Sequence, residues 1–159
     1  PLAHAIAGKA IAFNEADPPS VREYAHPGVA NASALAEALA GEGVRLVSGG
    51  TDNHLMVVDL RPFDSELTGK QAQATLDESG ITRNKNTVPD DPRSPFVTSG
   101  VRIGTPSVTT QGMTESEMPL VAGLIARALR HVDDANALAE VRSDVADLCG
   151  KFPAYPNGL

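Results

Sequence analysis

NKNTVPDDPRSPFVTSGVRIGTP, residues 84–106, joins a polar loop to a short apolar strand. The loop holds adjacent Asp90 and Asp91 and three prolines, Pro89, Pro92 and Pro95. A loop of this length inside a compact domain is usually functional or disordered. Val101, Ile103 and Thr105 argue for order at its end and predict a strand over 99–105. That strand carries one arginine, Arg102, pointing inward or outward.

On either side of this stretch the chain alternates helical and strand patterns. Upstream, Val44 to Ser48 and the apolar run HLMVVDL (residues 54–60) predict two strands. The turn Gly49-Gly50-Thr51-Asp52-Asn53 between them allows a hairpin. Thr68 caps a predicted helix that runs to about Ser79 and closes at Gly80. Ile81-Thr82 is expected to open a short strand into the polar loop. Downstream, Thr114-Glu115-Ser116-Glu117 is a capping box. The helix it opens carries Leu120, Val121, Leu124, Ile125, Ala128 and Leu129 at helical spacing. A last helix starts at Asp133 or Asp134, buries Leu138, Val141, Val145 and Leu148, and is expected to stop at Gly150 before a non-helical tail over 152–156.

The N-terminal segment, PLAHAIAGKAIAF, is apolar on nearly every side, with His4 and Lys9 as the interruptions. Such a helix is normally covered on several sides, so its partner surface is expected to lie in sequence outside this chain. Pro18-Pro19 stops it. Ser20 caps a second helix marked by Val21, Tyr24, Val29, Ala32, Leu35 and Leu39, with a kink or short break expected at Pro27-Gly28 and an end at Gly41 and Gly43. Two helices, two strands, a helix, a strand and two helices make an α/β or α+β layer: a small sheet covered by helices.

The 159 residues suffice for one domain with a core. A net charge of −7 argues against binding nucleic acid or an anionic membrane, both of which call for basic patches. No apolar run reaches membrane-spanning length and no signal peptide is visible. A single cysteine, Cys149, excludes an internal disulfide and fits a reducing, cytoplasmic setting.

Candidate chemistry is sparse. His4, His26, His54 and His131 lack metal-ligand spacing. His54 adjoins Asp52 and Asn53, yet a histidine there is more often structural than catalytic. Gly49-Gly50 opens no helix and lacks the phosphate-cradling context. Asp90-Asp91 fits a solvated loop better than a paired-carboxylate site. Lys85 lies in a polar loop without the burial that depresses a lysine pKa. Arg102 has a planar fork suited to a carboxylate, and by spacing alone it fits the solvated face of the strand as well.

The same residues resemble the serine hydroxymethyltransferases. SGGTDNHLMVVDLR (residues 48–61), LTGKQA (67–72), the 84–106 stretch and KFPAYP (151–156) are similar to that family in a consistent order, and PLAHAIAGKAIAF is similar to its segment after the active-site region. The resemblance implies the C-terminal part of a pyridoxal-phosphate enzyme of the aspartate-aminotransferase fold type. Residues 1–40 would be a helical segment from the large domain plus the connecting helix, and 41–159 a small C-terminal domain with a mostly antiparallel sheet. It implies interconversion of serine plus tetrahydrofolate with glycine plus 5,10-methylenetetrahydrofolate. Arg102 falls on the family's substrate-carboxylate arginine, and Asn86, Ser94, Pro95 and Phe96 fall on its tetrahydrofolate contacts.

The family's Schiff-base lysine, its ring-stacking histidine, its pyridinium-pairing aspartate and its proton-transfer glutamate fall outside this chain. No catalytic, cofactor-binding or metal-ligating residue is therefore assigned to it. The expected partners are the N-terminal part of the same enzyme and further copies in a homodimer or homotetramer. The alternative is a stand-alone, non-catalytic ligand-binding or regulatory domain derived from the same small domain.

Overall fold

The computed structural model describes residues 2–17 and 19–155; Pro18, assigned to the helix stop, and Pro156, assigned to the tail, lie outside them. The chain begins with two helices, α1 (Ala3–Ala16) and α2 (Pro19–Gly41). Next come β1 (Arg45–Leu46), a 3-10 turn (Val47–Gly49), β2 (Leu55–Asp59), α3 (Gly69–Glu78), β3 (Asn84–Asn86) and β4 (Gly100–Gly104). The chain ends with α4 (Pro106–Thr110), a second 3-10 turn (Glu115–Glu117), α5 (Met118–Arg130) and α6 (Ala135–Lys151). The four strands form one antiparallel sheet in the order β1-β2-β4-β3. The predicted hairpin is present, with Arg45 opposite Asp59 and Leu46 opposite Val58.

Period-2 alternation assigns the two faces of the sheet. Met56 lies opposite Ile103 and Val58 opposite Val101. These four are buried and join a core with Leu35 and Leu39 of α2, Leu76 of α3, and Leu124, Ile125 and Leu129 of α5. Helices therefore cover one face. Val57 opposite Arg102, and Arg102 opposite Asn84, lie on the other face.

Both capping boxes form. Thr68 Oγ1 accepts from Gln71 N at 3.1 Å while Thr68 N donates to Gln71 Oε1 at 3.1 Å. Thr114 N donates to Glu117 Oε2 at 2.7 Å. Asp134 Oδ1 caps α6 by accepting from Asn136 N and Ala137 N.

Four local expectations are corrected. Ile81-Thr82 forms no strand; the edge strand is the polar Asn84–Asn86, held by its ladder to β4. Gly150 does not stop α6, which continues to Lys151. α2 starts at Pro19, one residue before the expected cap Ser20. It also runs through Pro27, so the short break allowed for there does not occur. Proline removes one helical hydrogen bond, and α4 with the residues flanking it supplies contacts on both sides of the defect. Tyr24 Oη and Thr110 Oγ1 are 2.8 Å apart, Thr105 Oγ1 donates to Gly28 O at 2.6 Å, and Asn31 Nδ2 donates to Thr109 Oγ1 and Met113 O at 2.9 Å each.

α1 contributes no buried residue: Ile6, Ile11 and Phe13 are 60%, 61% and 73% exposed. The core closes without it, so its apolar surface is surplus to this fold. Among the described residues, no helix is long and apolar enough to cross a membrane.

Candidate functional site

Arg102 is exposed at the middle of β4, on the face turned away from the helices. It lines a cleft of about 580 Å³ with Val57 and Leu55 of β2 and the turn over 47–53. Among the described residues, the ion pairs of the arginines are Arg45 and Arg61 with Asp59, Arg83 with Asp77, Arg127 with Asp144 and Arg130 with Glu42. Arg102 is in none of them. A guanidinium presented on a sheet face without an internal carboxylate is available to a carboxylate ligand.

Residues 47–53 form the wall of that cleft: Val47 and Ser48, expected in the strand, instead join Gly49 in a 3-10 turn that leads into the turn expected over 49–53. Ser48 stands at φ +64°, a left-handed position uncommon outside glycine. Thr51 and Asn53 tie the turn to β2: Thr51 Oγ1 donates to Leu55 O and Asn53 Oδ1 accepts from Leu55 N at 2.8 Å. His54, like the other histidines, is exposed. Among the described residues, no three His, Cys, Asp or Glu side chains gather as a metal site.

Asn86 reaches the same open face as Arg102, since it sits opposite Gly100, two residues along β4. Ser94, Pro95 and Phe96 do not line the cleft. They lie exposed on the loop joining β3 to β4, with Phe96 83% exposed. The loop is pinned at its return. Gly69 N donates to Thr98 O at 2.9 Å and Lys70 N to Val97 O at 3.0 Å, so the LTGK segment at the start of α3 is its anchor. Thr98 is buried at φ +61°. A β-branched residue there costs about 1–3 kcal/mol and persists only where its surroundings impose it.

Asp91 imposes much of that order, which corrects its reading as a solvated loop residue. Its Oδ1 accepts from Ser99 Oγ at 2.7 Å and Arg93 N at 3.0 Å; its Oδ2 accepts from Ser99 N at 2.9 Å and Val88 N at 3.2 Å. Burial opposes its ionisation, but the bonds from Ser99, Arg93 and Val88 outweigh burial and hold the carboxyl at about 2. Its bond to Arg93 N, two residues on, is an Asx turn, and the sequence signal for it was the Pro-Asp-Asp-Pro run.

The pH consequence has a definite sign. A carboxyl depressed in the fold contributes stability that is complete above its unfolded pKa near 3.8 and is lost as pH falls towards about 2. The contribution is at most about 2 kcal/mol. Asp91→Asn is therefore expected to flatten the stability profile between those values, read from urea melts of the two proteins across that range.

Two arginines complete the frame. Arg61 donates to both carboxylate oxygens of buried Asp59, at 2.9 and 2.8 Å, and to Pro89 O and Asp90 O at 3.3 Å each. The side-chain bond from Arg61 leads the causes that hold the Asp59 carboxyl below its ordinary value. Arg93 donates to Leu67 O at 2.8 Å and Ser65 O at 2.7 Å. No local sequence pattern announces bonds that span this much chain.

A small antiparallel sheet with helices on one face, and on the other an arginine over a cleft outside the ion pairs of the described residues, defines a small α/β domain. The serine hydroxymethyltransferase family model matches residues 1–125, and the chain belongs to that family. A serine hydroxymethyltransferase from Myxococcus xanthus (strain DK1622) is 55% identical over 159 residues, covering all of this chain. The chain spans 38% of the length of that relative.

Proposed function

We propose that this chain is the small-domain part of a serine hydroxymethyltransferase that interconverts serine plus tetrahydrofolate with glycine plus 5,10-methylenetetrahydrofolate in the cytoplasm. On this reading residues 1–40 pack against the remainder of the enzyme and 41–159 form the small domain. The observation that carries it is Arg102: exposed over a cleft, outside the ion pairs of the described residues, within a chain of this family. Its fork would clamp the amino-acid carboxylate and fix the orientation of the reacting carbon. Asn86, Ser94, Pro95 and Phe96 would contact tetrahydrofolate, with the amide of Asn86 able to donate to and accept from its pterin edge.

The complete enzyme would use pyridoxal 5′-phosphate, which supplies an electron sink when bound. The residues of this chain do not fit as its holder. Lys9, Lys70 and Lys151 are exposed, Lys85 is half-buried at the sheet edge, and the cleft at Arg102 is lined by neither a lysine nor an aromatic ring. No cofactor step is assigned to this chain. Its contribution is to bind and orient the substrate and the folate. The exposed apolar α1 supports a partner surface in the rest of the enzyme or in a second subunit of a homodimer or homotetramer.

The test is glycine formation from serine and tetrahydrofolate by the complete protein. Phe96→Ala is expected to raise KM for tetrahydrofolate about tenfold, since a stacking face is worth about 1–3 kcal/mol, with KM for serine unchanged. Equal folate KM values for the two proteins would remove the folate assignment. A second reading, a stand-alone binding domain, has one supporting observation: the core closes without α1. Serine turnover by the complete protein decides against it.

A further inference from the structure

We infer that Asp91, acting with Ser99, is a positioning residue for tetrahydrofolate: it fixes the loop over 87–99 in the conformation that presents Phe96. This rests on the proposal that Phe96 contacts the folate. Antiparallel neighbours such as β3 and β4 need only about 2–5 connecting residues, so a connection over 87–99 is far longer than the sheet requires. The Phe96 side chain at its tip has little packing to hold it, being 83% exposed. Phe96 therefore takes its position from the backbone of the loop, which is fixed by the anchor to Gly69 and Lys70, by Arg93 and by Asp91 at its base.

The Asp91 carboxylate joins the two ends of that base. Val88 N, at the start of the loop, and Ser99 N and Oγ, at its end, donate to the same side chain. Arg93 N, on the way to the tip, is the fourth donor. The tip closes on itself because Val97 N and Thr98 N both donate to Ser94 O at 2.9 Å. Thr98, in its left-handed conformation, lies between the tip and Ser99, so the Asp91–Ser99 contact acts with the Gly69 and Lys70 amides to hold the strained residue in place. Without the carboxylate the two loop ends lose their common acceptor, and only the bonds from Gly69 N to Thr98 O and Lys70 N to Val97 O oppose relaxation of Thr98, so Phe96 shifts. Arg102 lies beyond Gly100 on β4, whose ladder to β2 does not involve Asp91.

The experiment compares Asp91→Ala, Ser99→Ala and Phe96→Ala with wild type in the complete enzyme, measuring KM for tetrahydrofolate, kcat and the Kd for glycine. Asp91→Ala is expected to raise the folate KM at least tenfold and Ser99→Ala about threefold, with the glycine Kd within twofold of wild type. Ser99→Ala removes the hydroxyl's bond to Asp91 and its longer one from Arg93 Nη1 but keeps the carboxylate's backbone bonds, so it reports even if Asp91→Ala fails to fold. Unchanged folate KM in the folded Asp91 or Ser99 variants, with Phe96→Ala raising it, overturns the positioning role alone. Unchanged folate KM in all three overturns the folate reading and the inference with it. A parallel loss of glycine affinity also overturns it, because a merely structural role would weaken both ligands.

Discussion

Arg102→Ala in the complete enzyme is expected to lower kcat/KM for serine by two to three orders of magnitude. The guanidinium is exposed over the cleft and takes no part in the ion pairs of the described residues. Its removal therefore leaves the fold intact and deprives the substrate carboxylate of a charge-assisted, two-pronged partner. Truncating one side of such a desolvated pair costs about 2–5 kcal/mol, and each 1.36 kcal/mol is tenfold. Arg102→Lys keeps the charge but not the fork, so it should recover only part of the loss. Melting temperatures of the variants should match wild type, which separates this effect from damage to the sheet. Kinetics with serine as the varied substrate, alongside thermal melts, check both statements.

The second large effect is on stability. Gly100 stands where β4 runs between β2 and β3, and a Cβ there would lie 2.5 Å from Val58 O, 2.6 Å from Val88 Cγ1 and 3.0 Å from Asn86 O. Two of those atoms are backbone on opposite neighbours, so neither can rotate away. Gly100→Ala should cost about 3 kcal/mol, in the range for overpacking a close-packed interior. For a chain of this size that is a fall of about 10 °C in melting temperature. Gly69→Ala should act alike, because its Cβ would enter the space of Thr98 Oγ1 and Gly100 O. It would also part the anchor bonds from Gly69 N and Lys70 N to the loop. Circular dichroism melts of the two variants read the size of each loss. A fall of less than about 2 °C would show that the strands relax more freely than this packing allows.

What could be read from the sequence was what short-range chemistry encodes. The alternation of Val101 and Ile103, the capping boxes at Thr68 and Thr114, and the helical stripe of Leu124, Ile125 and Leu129 each placed an element. β3 was not legible because Asn84-Lys85-Asn86 has no strand composition; its conformation comes from pairing with β4, a tertiary effect that overrides propensity. α4 has a sequence signal in the proline at its first turn. Gly150 punctuates α6 too weakly to end it, since one glycine in a helix costs only about 1 kcal/mol.

The site divides in the same way. Arg102 was visible as a residue, but its direction became definite only once the register put Val57 and Asn84 beside it and the buried Val101 and Ile103 on the other face. The resemblance to the family singled out Asn86 and the Ser94-Pro95-Phe96 triplet. It gave no sign that Asp91, Arg61 and Arg93 shape the loop that carries the triplet. Those bonds run to backbone carbonyls and amides far along the chain, and side-chain spacing does not record them. Gly49-Gly50-Thr51-Asp52-Asn53 reads as a turn from its composition, while its place in the cleft depends on the β1–β2 hairpin bringing it next to β4.

The central claim is that Arg102 is the receptor for the amino-acid carboxylate. Calorimetric titration of glycine into the complete enzyme, wild type and Arg102→Ala, measures that directly and needs neither folate nor turnover. The prediction is a Kd at least a hundredfold weaker in the variant, with an unchanged melting temperature in the absence of ligand. A Kd within threefold of wild type would contradict the account and return Arg102 to the solvated face of a strand.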